Sequence, residues 1–156
     1  MDNNMSANIE RILETSPNIV WKMWTDADSF KTWYGPNGFS IEVLKMDVVE
    51  GGEHLICMTM PDGERKMYTT GVYKEVAINK KLVYTDIPCD ESGKRLEPEA
   101  MGMPKGSPMT TEVIIELLAM GDNTKMIMKH VGVPETTENM WNQAFDKMVL
   151  AIEKVM

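Results

Sequence analysis

The chain has 156 residues, 43% of them apolar and 26% charged, and a formal net charge of -8. That is the length of one ordinary domain, and burying about two-thirds of the unfolded surface at this size needs no disulfide or metal. The acidic balance argues against nucleic acid or an anionic membrane as partner, and no run of about 18 apolar residues is present to span a bilayer.

The start, MDNNMSANIE, has neither a basic region nor an apolar core, so a secretory signal is not expected. The two cysteines, Cys57 and Cys89, lie in different segments without metal-ligand spacing. Two reduced thiols in a cytoplasmic protein are the simplest reading, and the sequence alone leaves a disulfide between them open. Sixteen methionines stand against three phenylalanines. Such a supply of unbranched, polarizable side chains fills either a core or a deformable apolar pocket, and composition favours the core.

Residues 8–14 (NIERILE) read as a short strand. Ser16 offers an N-cap and Pro17 a first helical position, where a missing N–H costs nothing. PNIVWKMWT puts Val20 and Trp24 on one helical face, and a second short helix is expected over 26–33, before the breaker GPNG at 35–38. From Phe39 the period becomes two: FSIEVLK groups Phe39, Ile41 and Val43. EHLICMTM, MYTTGVYKEV and KKLVYTDI follow as strands, separated by the turn PDG at 61–63 and by Asn79. Gly71 within the second of these predicts a bulge or bend.

Residues 88–108, rich in Pro, Gly and charge, form the longest irregular stretch. MTTEVIIELLAM and TKMIMKHV pair through the tight turn GDN. In the latter strand Lys125 and Lys129 share one parity and Met126, Met128 and His130 the other. After Gly132 and Pro134, Thr136 or Thr137 can cap a long helix whose apolar stripe is Met140, Trp141, Ala144, Phe145, Met148, Ile152 and Val155. The pattern predicts an α+β fold over residues 1–156: a curved antiparallel sheet of six or seven strands, two short helices after the first strand, and a long C-terminal helix covering one face. Met126, Met128 and His130 would then face the space between sheet and helix.

Three stretches carry a family likeness: SPNIVWKMWTDADSFKTWYGPNGF at 16–39, TTGVYKEVAINKKLVYTD at 69–86 and KHVGVPETTENMWNQAFDKM at 129–148. GMPKGSPMTTEV at 102–113 adds to them. The chain resembles the SRPBCC (START-like, Bet v 1-like) helix-grip superfamily, and within it the group related to the C-terminal domain of the activator of Hsp90 ATPase. The resemblance implies a helix-grip fold and a small apolar or amphipathic ligand between sheet and helix. Some superfamily members are cyclases, and the eukaryotic relatives bind and stimulate Hsp90 through a co-chaperone that also has an N-terminal domain, which these 156 residues do not hold. Where family members often carry Gly-Trp in the last helix, this chain has Met140-Trp141, a change expected to alter or shrink the cavity.

No phosphate loop, nucleophile elbow or metal-spaced Cys/His cluster appears, and no cofactor is expected. His130 reads either as a pocket group orienting a ligand or transferring protons, or as a strand-end histidine bonded to backbone. Asp86, on the parity of Leu82 and Tyr84, reads either as a buried carboxyl of raised pKa or as a turn cap. Trp24, Trp33 and Phe39 form an aromatic set near the short helices, and Trp141 packs on the sheet. The candidate cavity residues are therefore Trp24, Trp33, Phe39, Tyr84, Asp86, Val113, Met126, Met128, His130 and Trp141, with the ligand passing between the 88–108 loop and the last helix.

The leading expectation is non-enzymatic binding of a small apolar molecule. An enzyme of the cyclase or hydratase kind using His130 or Asp86, and a chaperone-interacting protein, are the alternatives. The sequence leaves a homodimer open.

Overall fold

The computed structural model describes residues 5–155. An edge strand, β1 (Ser6–Leu13), is followed by α1 (Pro17–Thr25) and the single-turn α2 (Ala27–Phe30). Strands β2 (Ser40–Met46), β3 (Glu53–Thr59), β4 (Lys66–Ala77), β5 (Lys81–Cys89), β6 (Thr111–Met120) and β7 (Asn123–Val131) come next, and the helix α3 (Glu138–Val155) closes the order. The seven strands form one sheet in the order β1-β7-β6-β5-β4-β3-β2, antiparallel throughout. The chain therefore begins at one edge, α1 and α2 carry it across to the other, and five successive hairpin connections bring it back beside its start. Among the described residues no helix is long and apolar enough to cross a membrane.

Local chemistry explains most boundaries. Pro17 opens α1, and Ser16 holds the N-cap position, although its hydroxyl engages the Asn18 side chain instead of a helix N–H. Asp26 ends α1 and caps α2, its carboxylate accepting from the Ser29 N–H at 3.1 Å. The second helix is thus shorter than the expected 26–33 span. Gly121, at φ 62°, supplies the left-handed residue of the two-residue β6–β7 hairpin, closed by the Met120–Asn123 pair. Thr136 and Thr137 lie in a 3₁₀ turn (Glu135–Thr137) that leads into α3, so neither is the expected N-cap.

The core lies where α1 and α3 meet β1, β7 and β6. Trp24, Trp33, Met126, Met128, Phe145 and Met148 are all fully enclosed there. Trp24 and Trp33 meet edge to face with ring centroids 4.7 Å apart. The Trp33 indole donates to the Met23 carbonyl at 2.9 Å, and the Trp24 indole to the Met126 sulfur at 3.4 Å. Arg11 of β1 fastens α3 from outside, donating to the Asn142 carbonyl and pairing with Asp146 at 2.7 Å.

Cys57 and Cys89 are buried free thiols outside this cluster. Cys57 pairs with Tyr68 and Tyr68 with Cys89, so a whole strand separates the cysteines. Two strand spacings amount to roughly 9.5 Å, beyond the reach of a disulfide. Burial, with Asp90 and Asp86 nearby, pushes the Cys89 thiol up to about 11.

Candidate functional site

Packing stops short at the other end of the sheet. Between the 34–39 loop, the inner faces of β3, β4 and β5 and the first turns of α3 lies a cavity of about 410 Å³. The alternation of β3 and β4 explains its lining. Ile56 and Met58 share the inward parity, and Met67 and Thr69 continue it on the next strand, so thioethers reach the inner face opposite the start of α3. Pro36 and Phe39 form one wall, and Met140, Trp141 and Ala144 of α3 the opposite one.

The 34–39 loop is held in shape. Gly35 has φ 85°, and a Cβ there would come within 3.2 Å of both Ile41 and Met58. The Asn37 N–H donates to the Gln143 side chain at 3.0 Å, and the Lys147 ammonium donates to the Pro36 carbonyl at 3.0 Å. Partial burial holds the Lys147 pKa below its usual value. Loop and helix therefore make one rim.

His130 lines the cavity but is fully committed. The Trp141 indole N–H, which can only donate, points at His130 Nδ1 at 3.0 Å. The neutral ring therefore carries its proton on Nε2 and donates to Thr111 Oγ1 at 2.9 Å. The Thr111 hydroxyl in turn donates to the Asp86 carbonyl at 3.1 Å. Burial lowers the His130 pKa to about 4, so the ring is neutral at pH 7. With both nitrogens occupied, it has no free position for proton transfer to a bound molecule.

Asp86 is the polar counterweight. It lines the cavity beside two buried tyrosines, Tyr34 and Tyr84, whose hydroxyls lie 3.0 Å apart. Burial raises both phenols well above their ordinary range, and the Asp86 charge adds to it. Burial also raises the Asp86 pKa, opposed by His54 and by the Thr69 hydroxyl. His54 is buried behind it, its Nε2 donating to the Thr85 carbonyl at 2.8 Å. That approach requires Gly71, where a Cβ would sit 1.9 Å from the Thr85 oxygen and 2.8 Å from His54 Nε2. The β4–β5 ladder is interrupted here, and the Val72 N–H turns to Thr85 Oγ1 at 2.9 Å. The register shift itself falls between Tyr73 and Glu75, not at Gly71 as the sequence suggests. Tyr73 consequently keeps the inward parity of Gly71 and is buried, while Tyr68 faces the other way beside Cys57.

Of the residues singled out from the sequence, Phe39, Asp86, His130 and Trp141 lie together on the cavity wall. Trp24, Trp33, Val113, Met126 and Met128 lie in the packed core, and Tyr84 is buried behind Tyr34. The reason is the position of α3 and α1, which cover β1, β7 and β6 but leave β2 to β4 open. Residues 88–108 contribute nothing to the lining, whereas the 34–39 loop supplies Tyr34, Gly35, Pro36 and Phe39. Sequence reasoning missed Tyr34, Met58, Met60, Met67, Thr69 and Met140 as wall residues. The parity of Met58 against Cys57 was the available signal. Among the described residues no group of three or more His, Cys, Asp or Glu is placed to hold a metal ion.

The model of the activator of Hsp90 ATPase homolog 1-like family matches residues 14–153. No curated protein matches significantly. A crystal structure of a Chromobacterium violaceum protein is similar over 98% of this chain and 99% of its own, with TM-score 0.80 at 22% identity. A solution structure of an Arthrobacter aurescens protein covers 99% and 90% with TM-score 0.82 at 18% identity. The crystal structure of the AHSA1 protein from Silicibacter pomeroyi covers 97% and 99% with TM-score 0.75 at 14% identity. At these identities the likeness is one of fold, an α+β helix-grip arrangement, and the match over 14–153 assigns the family: the chain belongs to the activator of Hsp90 ATPase homolog 1-like family.

Proposed function

We propose that this chain binds a small apolar or amphipathic molecule in the cavity between the curved sheet and α3, without chemistry, as one domain over residues 1–156. The observation that carries this is the cavity of about 410 Å³ walled by Phe39, Met58, Met60, Met67, Met140 and Trp141. Flexible thioethers adapt to an irregular ligand more readily than branched side chains. Covering about 150 Å² of apolar ligand surface contributes roughly 4 kcal/mol before ordering costs. The occupied nitrogens of His130 weigh against a proton-transfer enzyme.

Met140 stands at the rim, 46% exposed, so a charge there is tolerated by the fold but opposes apolar ligands. Native mass spectrometry of the protein from its own host is expected to show a retained small molecule, and Met140→Glu is expected to lose it with an unchanged circular dichroism spectrum. Retention by Met140→Glu, or an empty wild-type protein that binds no apolar probe, overturns the reading.

The family match favours one second reading, contact with an Hsp90-type ATPase through an outer surface. Its test is stimulation of that ATPase by the purified chain. Stimulation that survives Met140→Glu separates it from the cavity.

A further inference from the structure

Resting on the cavity-binding reading, we infer that the ligand is an amphiphile whose polar end is a protonated amine seated on the Asp86 carboxylate. The lining contains no Lys or Arg. Lys147, the cation beside the rim, is committed to the Pro36 carbonyl. A carboxylate, sulfate or phosphate headgroup would therefore meet the Asp86 charge with nothing in the wall to offset it. Among the described residues Asp86 makes no ion pair. The other polar groups at that wall supply no counter-charge: His130 is held by Trp141 and Thr111, the Tyr34 hydroxyl pairs with Tyr84, and Thr69, which bonds Asp86, and Thr137 offer only neutral hydroxyls. An alkylammonium supplies the missing positive charge and a charge-assisted hydrogen bond while its chain lies along the methionines. Burial raises the Asp86 pKa, opposed by His54 and the Thr69 hydroxyl, as expected of a desolvated carboxylate without an ion-pair partner.

The experiment titrates the full chain at pH 7.5 with octylamine, 1-octanol and octanoate, following tryptophan fluorescence and heat. Octylamine is expected to bind roughly tenfold tighter than octanol, as an ion pair adds the attraction of opposite charges to the hydrogen bond that either headgroup makes, with octanoate weakest. Asp86→Asn is expected to abolish the preference, so that octylamine binds no tighter than octanol to the variant. The same titrations at high salt screen the general pull of the acidic surface on amines, leaving the preference for the enclosed pair. Octanol binding without an amine preference, or a preference surviving Asp86→Asn, overturns this inference and leaves the cavity reading standing. Failure of all three probes to bind overturns both.

Discussion

The space between sheet and helices is built in two ways from the same residue types. Over β1, β7 and β6, methionines are locked: Met126 accepts the Trp24 indole, and Met128 and Met148 are fully enclosed. Over β3 and β4, Met58, Met60 and Met67 line open volume, and Met67 is 41% exposed. What differs is the cover. Helices α1 and α3 pack against the first region, fastened by Arg11, whereas the second is roofed only by the 34–39 loop and the start of α3. A thioether is a core side chain or a pocket side chain according to what stands opposite it, not by its own chemistry.

Substitutions should separate the two regions. The largest effect is expected from Met128→Glu, which buries a charge with no partner in the packed half and should abolish cooperative unfolding of a native state; retained folding by circular dichroism would mean that half is not solid. Next is acid sensitivity through His130. Its pKa is about 4 in the fold against about 6.5 unfolded, so the fold prefers the neutral ring. The stabilisation is complete above the unfolded value and is lost as pH falls toward the folded one, by about 3 kcal/mol. The difference in urea midpoint between wild type and His130→Gln should therefore change between pH 7 and pH 4 and stay flat above pH 7.

Asp86 runs with the opposite sign. Its pKa is raised by burial, so its contribution is present below the ordinary carboxylate range and is lost as pH rises through it. Asp86→Asn should accordingly raise the melting temperature at pH 7 and lose that advantage in acid; a lower melting temperature at pH 7 would show the carboxylate to be structurally required. The smallest effect is expected at the cavity rim, where Met67→Gln should change stability by less than about 0.5 kcal/mol. A large loss would place Met67 in a packed core.

Much of the architecture is written locally. Period-two alternation marks β2 to β7, Gly121 sets the β6–β7 turn, and the apolar stripe of α3 shows in the spacing of Trp141, Phe145, Met148 and Ile152. The site was legible only in part. Parity tells which residues of a strand share a face: it put His130 on the inner face with Met126 and Met128, and left Asp86 open between a buried carboxyl and a turn cap. It says nothing of which inner positions lie under a helix. Nor does it reveal the commitment of His130, because its partners Trp141 and Thr111 come from other elements. The 88–108 stretch looked like a mouth because it is long and irregular, yet the rim is built by a six-residue loop held on two residues of α3, Gln143 and Lys147.

The sequence by itself determined the element order, the antiparallel pairing and which residues share a face in strands such as β6 and β7, since these follow from periodicity and turn residues a few positions apart. The tertiary structure alone decided where the inner face is filled and where it is hollow, and that His130 is committed to Trp141 and Thr111 whereas Asp86, among the described residues, makes no ion pair. Those outcomes depend on how far α1 and α3 reach across a curved sheet, a distance set by contacts between residues more than a hundred positions apart, such as Arg11 with Asp146 and Pro36 with Lys147.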